Sequence, residues 1–418
     1  MDSKEKIPFG VWFMWFVAAS FITYMFLLQT SVSVMIPNLM RDFDIDTLGM
    51  GLLSSSFFYP YIVFQVPAGI LIDWYKPKRV MTIAILLCAV GTLIFTISDN
   101  VWIAAFGRAI TGFGAGASVA GALYVGLRRF PPSRFAMIAG ASEMLGMFGG
   151  AAGQVVLAPS IQAIGWRHTL QACIVVGLLL ALTTWLTLKD RAPNETVIPA
   201  KKSLRDSFAF VMGIPQMWLI GLSAALVFAP LSAFGGLWAV PYLQKLYNTD
   251  LMHAATASST MFLGAGLGAP FIGYLSDRIG KRCLPMILST LIALGLSLII
   301  IYYPPSSIVM MSFLIFLMGI SCCAYVIPFA LAKDIIRPEV QGTAMGFTNM
   351  MCIAMGAPVL QPLIGWLLKF EDPDVVSTKE ILFSIHDYHY AFSIIPLVFI
   401  LGLVCVFFIK ETHCESTH

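Results

Sequence analysis

The feature that most constrains this chain is a series of long apolar runs that recurs from one end of the sequence to the other. A hydrocarbon core roughly 30 Å thick is spanned by about 20 apolar residues in a helix, and backbone groups in lipid must pair within their own segment. Residues of the set AVILMFWYC make up 58% of the 418, and charged residues only 11%, against roughly 25% in soluble domains. The sequence therefore predicts an all-α integral membrane protein and excludes a water-soluble globule.

Charges, prolines and glycines divide the apolar runs into twelve predicted transmembrane helices. The predicted spans are 11–36, 48–72, 80–98, 101–127, 135–160, 168–188, 216–243, 253–276, 283–303, 307–332, 342–368 and 390–409. The apolar period within them is not strongly amphipathic, so length and breaks carry the assignment.

Lysine and arginine fall mainly on one predicted side of the membrane. With the N-terminus in the cytosol, nineteen basic residues lie on the cytosolic side, five lie on the other side, and Arg108 lies inside a span. The positive-inside rule selects this orientation, so both termini are expected in the cytosol, in the bacterial inner (plasma) membrane. The first apolar run lacks a small-residue cleavage site, which favours a retained span over a signal peptide.

A charged, proline-containing segment at the chain midpoint predicts a linker. It divides the chain into an N-terminal six-helix half (1–190), a cytosolic linker (191–215) and a C-terminal six-helix half (216–418). The overall charge of +3 leaves no polybasic nucleic-acid surface. We expect a monomer whose partners are lipid, protons and a small organic solute.

The two halves share a short motif at the same place. Gly69-Ile-Leu-Ile-Asp73 ends the second span, and Gly273-Tyr-Leu-Ser-Asp277 ends the eighth, 204 residues later. A basic pair follows each copy. One short match is weak evidence, but a match at the same span number and half-chain spacing indicates a duplication. Repeated halves with a site between them are typical of secondary transporters.

The second copy is the more complete. Gly273-Tyr-Leu-Ser-Asp-Arg278-Ile-Gly280-Lys-Arg282 resembles the loop motif G-x-x-x-D-R-x-G-R-R of the major facilitator superfamily (MFS), and Arg108 with the glycines that follow it resembles the family's fourth-helix motif. The resemblance covers essentially the whole chain. It implies twelve helices in two pseudo-symmetric halves around a central cavity, alternating access, and no cofactor. The first copy departs from the motif, since tryptophan follows Asp73 and lysine replaces the glycine.

The acidic residues of this motif have two interpretations. An aspartate at a helix end can accept hydrogen bonds from the positive N-terminus of a neighbouring helix. In the family's fold this implies that Asp73 faces the start of helix eleven near Gly342, and Asp277 the start of helix five near Phe135. Contacts made in one open state alone would bias the conformational equilibrium. The alternative is a topological anchor without a gating role.

Arg108 and Glu143 are the ionisable residues that fall well inside spans. Each costs several kcal/mol at the bilayer centre unless it finds a partner. Counting along antiparallel helices leaves them on the order of 10 Å apart in depth. They are interpreted either as a permanent ion pair or as a switchable coupling pair, in which Glu143 takes a proton or yields to substrate while Arg108 tunes it or binds an anionic group.

Polar-tipped residues near mid-span form a predicted substrate cavity. Its members are Tyr24, Tyr61, Trp238, Tyr325 and Asn349. For any one of them, a simple hydrogen bond to a neighbouring helix is the competing interpretation. As a set, an aromatic cage with few polar groups suits a small or medium organic solute better than an inorganic ion.

The glycines of the fifth span, the cysteines and the terminal histidines form further patterns. Glycines on the fifth span, including Gly146, Gly149, Gly150 and Gly153, are typical of close helix packing. They also resemble the glycine-proline motif of drug-exporting antiporters in this family, although the proline is absent. The eight cysteines are expected to be reduced and packed, and the histidines near the chain end form no convincing metal site.

The leading hypothesis is a secondary active transporter that moves a small polar organic solute by alternating access, with proton-coupled import favoured. A proton-coupled efflux antiporter of a drug, siderophore or metabolite is the alternative, and a substrate-sensing membrane receptor is a distant one. An enzyme is not expected, since histidines within the spans occur only at their ends and the spans contain only one acid. The sequence has no Walker motif, so ATP-driven pumping is not supported.

Overall fold

A computed structural model describes residues 7–131, 134–189, 204–337, 340–371 and 383–414. Within these ranges the chain is helical and no strand occurs. Ten helical segments are long and apolar enough to cross a membrane. Two further helices, Phe135–Val155 and Leu251–Ile279, are 21 and 29 residues long and occupy the fifth and eighth positions. The structure fits the predicted twelve-helix architecture.

We number the membrane helices α1 to α12. In the first half they are α1 Phe9–Thr30, α2 Thr47–Ser55 with Phe58–Trp74, α3 Pro77–Ile97, α4 Val101–Ala115 with Ser118–Arg129, α5 Phe135–Val155, and α6 Leu157–Thr187. In the second half they are α7 Pro215–Pro230 with Ala239–Tyr247, α8 Leu251–Ile279, α9 Cys283–Tyr302, α10 Ile308–Cys322 with Ile327–Ile335, α11 Gln341–Ala354 with Gln361–Glu371, and α12 Ile385–Phe392 with Ile394–Phe407.

Two boundaries differ from the sequence prediction. Residues 204–212, inside the predicted linker, form the short helix Leu204–Met212, whereas residues 190–203 lie outside the described ranges. The range of α6 begins earlier than predicted and contains a break at Gly165, where φ is +78°. Glycine adopts this backbone conformation without steric cost, so the turn between the fifth and sixth predicted spans falls there.

Several helices are irregular near mid-membrane. A π-helical turn, Leu231–Trp238, follows Pro230 in α7, and a second one, Gly356–Leu360, interrupts α11. A 3₁₀ turn, Cys323–Val326, divides α10 just before Pro328. Proline supplies no amide hydrogen and disturbs the regular ladder, and π turns are frequent at functional sites. The 3₁₀ turn of α10 carries Tyr325, a member of the predicted cavity set.

The two faces of the molecule differ. We call the face that holds both ends of the described chain, with the basic segments 76–79, 128–129 and 278–282, the basic face, and the other the opposite face. At the opposite face α2 lies directly against α11. The Thr47 hydroxyl donates to the Gly365 carbonyl at 2.7 Å, and Lys369 Nζ lies 2.6 Å from Asp46. The halves are therefore closed together on this side.

Glycine makes this closure possible. A Cβ added at Gly51 of α2 would stand 2.7 Å from the Gln361 carbonyl oxygen, and one at Gly365 would collide with the backbone of Thr47. Slightly deeper, the Ser55 hydroxyl donates to the Ala357 carbonyl at 2.5 Å. Backbone in contact with backbone leaves no room for a side chain.

At the basic face the corresponding positions are open. Gly69 on α2 and Gly273 on α8 have no atom within 4 Å of where a Cβ would stand, and the same holds for Gly342 at the start of α11. The side chain of Asp277 is 68% exposed. The structure therefore represents a state that is closed at the opposite face.

Candidate functional site

A single carboxylate links the halves at mid-membrane. Glu143 lies eight residues into α5, or about 12 Å from its basic-face end. Its Oε1 accepts a hydrogen bond of 2.6 Å from the hydroxyl of Tyr325 on the 3₁₀ turn of α10. The Tyr325 ring also packs edge-on against Phe228 of α7, with centroids 4.9 Å apart. This part-buried hydrogen bond joins α5 of one half to α10 of the other.

A second polar contact crosses between the halves at similar depth. Asn349 Nδ2 of α11 donates to Gln65 Oε1 of α2 at 2.8 Å, whereas the buried Nε2 of Gln65 has no hydrogen-bond partner among the described residues. Tyr61, one helical turn before Gln65, lies beside it, and its ring stacks on that of Phe57 with centroids 5.7 Å apart. An unpaired buried donor is costly, so the amide of Gln65 is a candidate ligand contact.

We call these five residues the central cluster: Tyr61, Gln65, Glu143, Tyr325 and Asn349. Three of them belong to the predicted cavity set and one to the predicted coupling pair. Gln65 was not predicted as a site residue. The available signal was its position four residues after Tyr61, which places both on one face of α2.

The expected pairing of Arg108 with Glu143 is not what the structure shows. Arg108 is 4% exposed, and its Nη1 and Nη2 donate to the backbone carbonyls of Leu28 and Ser54 at 3.1 and 3.3 Å. Its guanidinium lies 5.3 Å from the centre of the Phe57 ring. Counting residues along the helices estimates only the difference in depth between Arg108 and Glu143, not the direction of each side chain. The Arg108 guanidinium points between α1 and α2, whereas the Glu143 carboxylate points towards α10.

Arg108 is a buried cation without a carboxylate partner among the described residues. Among the described residues no carboxylate lies within ion-pair distance of it, and its buried Nε has no hydrogen-bond partner. A small cavity lies beside it, lined in part by Ser31, Thr92 and Thr111. A buried cation is stabilised only by pairing or by dense hydrogen bonding. The site is therefore suited to an anionic group.

Tyr24 and Trp238 do not join the central cluster. The Tyr24 hydroxyl donates to the Cys173 carbonyl of α6 at 3.1 Å, inside the first half. Trp238 Nε1 donates to the Gln361 carbonyl at 3.1 Å, inside the second half. Both side chains are almost fully buried in packing within one half. Their predicted mid-span position does not determine the direction in which a side chain points.

The loop motif forms a different network from the one expected. Arg282 Nη1 lies 2.6 Å from Asp277, and its Nε donates to Asp334 of α10 at 3.2 Å. Gly280, with φ of +69°, caps α8, and Arg278 is exposed. Asp277 is solvent-exposed instead of facing the start of α5, because the basic face is open in this state. The side chain of Asp73 lies outside the described residues.

Four of the fifth-span glycines, Gly146, Gly149, Gly150 and Gly153, pack closely as predicted, whereas Gly140 has no atom within 4 Å of where a Cβ would stand. A Cβ at Gly149 or Gly153 would collide with the backbone of α1, and one at Gly150 would stand 2.8 Å from the Phe262 ring of α8. In the part of the chain that the structure describes, no group of three or more His, Cys, Asp or Glu side chains could hold a metal ion.

Two bacterial transporters are similar to this chain in sequence. The gentisate transporter of Corynebacterium glutamicum is 25% identical over 350 residues, which cover 79% of this chain and 75% of that protein. The probable sulfoacetate transporter of Cupriavidus necator is 24% identical over 272 residues, 61% of this chain. The latter match spans only 62% of that transporter's length.

The fold is also found in solved structures. A bacterial homologue of the human lysosomal transporter Spinster, in an inward-facing and unoccupied conformation, superposes with a TM-score of 0.74 at 14% identity and covers 98% of both chains. The family model described as Major Facilitator Superfamily matches residues 14–351, and it matches residues 220–417 as well. With twelve helices in two halves, polar contacts between them at mid-membrane, and a family match over most of its length, the chain belongs to the Major Facilitator Superfamily.

Proposed function

We propose that this protein is a proton-coupled importer of a small organic anion, which works by alternating access with the basic face in the cytosol of a bacterial inner membrane. The observation that carries the proposal is the hydrogen bond between Glu143 and Tyr325. It joins the halves at mid-membrane through a carboxylate, a group that can gain and lose a proton.

The bond couples protonation to conformation for a physical reason. Alternating access separates surfaces that are in contact in one state, so a bond that crosses between the halves forms in one state and is absent or altered in the other. A hydrogen bond to a charged carboxylate is worth roughly 1.5–3 kcal/mol and one to a neutral group about 1 kcal/mol. Protonation of Glu143 therefore changes the relative stability of the two states.

Arg108 supports an anionic substrate. A buried guanidinium held by two backbone carbonyls leaves its positive charge uncompensated among the described residues. Sulfoacetate and gentisate, after which two relatives are named, are organic anions. The unpaired Gln65 amide and the Tyr61 hydroxyl offer neutral contacts for the remaining polar groups of such a solute.

The test begins with a thermal-shift screen of the purified protein against aromatic acids, uronic acids and sulfonates, with neutral sugars and nucleosides as comparison. A hit is then measured as radiolabelled uptake into proteoliposomes, with and without an inward proton gradient, and as counterflow. We expect Glu143→Gln to abolish gradient-driven accumulation and retain counterflow, and Arg108→Gln to lose binding.

The control variant is Asp250→Asn, which neutralises an exposed carboxylate at the start of α8. It should transport like wild type. Accumulation by Glu143→Gln against a solute gradient would place coupling elsewhere. Thermal stabilisation by neutral solutes only would contradict an anionic substrate. Solute accumulation driven by an outward proton gradient would indicate efflux. Binding of a solute without its transport would indicate a sensor.

A further inference from the structure

The first half carries a pocket at the basic face that the transport site does not use. It lies among the start of α1, the start of α3 and the ends of α4 and α6, and is a small concavity open to solvent. We call it the basic pocket. Its lining consists of Met14, Pro77, Tyr124, Val125, Arg128, Arg129, Leu188 and Lys189. Three cations thus converge on one small concave surface.

These cations lack carboxylate partners among the described residues. Arg128 and Arg129 are exposed, and the Arg128 guanidinium lies 5.8 Å from the centre of the Tyr124 ring. Nearby, Lys78 Nζ lies 4.4 Å from the centre of the Trp185 ring. Like charges in one pocket repel each other, and a bound anion removes that repulsion.

The α3 helix adds to the positive potential. It begins at Pro77, which lines the pocket, and no side chain among the described residues caps its first amides. The N-terminus of a helix carries a partial positive charge that favours anions. In the described residues the pocket therefore presents side-chain cations and a helix terminus to the same space.

The surroundings of the pocket distinguish a lipid from a soluble anion. Leu127, next to Arg128, is 63% exposed, and Trp185 and Leu186, just before the end of α6, are 42% and 72% exposed. Exposed apolar side chains on membrane helices contact acyl chains. A soluble phosphate would use the cations but not this apolar wall, whereas a phospholipid uses both.

We propose that the basic pocket binds the headgroup of an anionic phospholipid, with its phosphate between Arg128, Arg129 and Lys189 and its acyl chains along the exposed surface of α4 and α6. Binding joins the ends of four helices of the first half and stabilises that half at the basic face. The proposal requires only that the protein lies in a bilayer, so it stands or falls separately from proton coupling and substrate class.

The experiment uses the full-length protein in detergent, titrated with phosphatidylglycerol, phosphatidylcholine or inorganic phosphate, with thermal stability and lipid retention in native mass spectrometry as readouts. The test variant is Arg128→Gln/Arg129→Gln/Lys189→Gln. The charge-matched control is Lys333→Gln/Arg337→Gln/Lys410→Gln, which removes three exposed cations from the basic face of the second half. Single variants Arg128→Gln and Arg129→Gln serve if the triple variant does not fold.

We expect phosphatidylglycerol to stabilise wild type and the control at concentrations about tenfold lower than phosphatidylcholine, and the pocket variant to lose this preference. Each single variant should lose part of it. An equal loss in pocket and control variants would overturn the proposal and leave general attraction to a basic surface. Stabilisation of equal size by inorganic phosphate would overturn it in favour of a soluble anion.

Discussion

The Tyr325→Phe substitution is the sharpest test of the link between the halves. It removes one hydroxyl and keeps the ring that packs on Phe228. The lost hydrogen bond to Glu143 is 2.6 Å long, in the range typical of a hydroxyl bound to a carboxylate. Because the bond crosses between the halves, its loss should destabilise the state closed at the opposite face relative to the alternative.

The size of the effect follows from the charge of the acceptor. A hydrogen bond to a charged carboxylate is worth roughly 1.5–3 kcal/mol, which corresponds to a shift of about 10- to 150-fold in the ratio of the two states. For a protonated carboxyl the value of about 1 kcal/mol gives a shift of roughly 5-fold. The shift should therefore be larger at a pH at which Glu143 is ionised than at one at which it is neutral.

Distances between spin labels can measure this ratio. Arg41 and Met252 are exposed and lie at the opposite face in different halves, so cysteines placed there report its opening. The matched control is Tyr24→Phe, which removes a hydroxyl bond of 3.1 Å within the first half and should leave the label distances unchanged.

Equal distance distributions in Tyr325→Phe, Tyr24→Phe and wild type, at every pH, would refute the reasoning. The bond between Tyr325 and Glu143 would then contribute equally to both states. The proposed coupling role of the carboxylate would lose its structural basis.

Three further outcomes are expected. Gly365→Ala should open the opposite face, because the added methyl group collides with the Thr47 backbone. Faster chemical labelling of a cysteine introduced where α2 lies against α11 would show this opening, and an unchanged labelling rate would contradict it. Burial opposes ionisation of Asp46, but hydrogen bonds from Lys369 and a backbone amide outweigh burial and lower the pKa of Asp46 from 3.8. The pair of Asp46 with Lys369 therefore contributes fully to closure of the opposite face above pH 3.8, and this contribution is lost as pH falls through the lowered pKa. Asp46→Asn should weaken closure at neutral pH by no more than about 1 kcal/mol, since the pair is partly exposed, with label distances as the measurement. The Glu411 carboxylate accepts hydrogen bonds from the backbone amides of Arg282 and Cys283, at the start of α9, at 2.7 and 2.8 Å. Glu411→Gln should therefore cost about 1 kcal/mol of stability in a detergent unfolding assay. An unchanged unfolding midpoint would contradict a capping role.

The central cluster shows how far sequence reasoning reached. Glu143 was predicted because a lone acid inside an apolar run is costly unless it has a function or a partner. Tyr325 was predicted as a cavity residue, but its bond to Glu143 was not. The partner chosen from sequence was Arg108, since opposite charges at similar depth are the simplest pair. Helix α5, however, turns its carboxylate across to the second half, and a tyrosine hydroxyl meets it there.

The same limit explains the other corrections. Tyr24 and Trp238 were predicted to line the cavity, yet each hydrogen-bonds a carbonyl within its own half. Asp277 has the motif that predicts a contact with helix five, yet in this state it pairs with Arg282. A motif specifies which contact can form, whereas the conformational state decides whether it does.

What the sequence by itself determined is the membrane class, the number and order of the helices, the repeated halves, and the identity of the two charges inside them. These properties depend on hydrophobic length, charge asymmetry and spacing, which are all readable along one dimension. The tertiary structure alone decided which way each helix is rotated, which side chains meet across the halves, and which face is closed. In a membrane protein lipid and neighbouring helices are both apolar, so the apolar pattern of a helix does not reveal which face is buried, and that choice is left to packing.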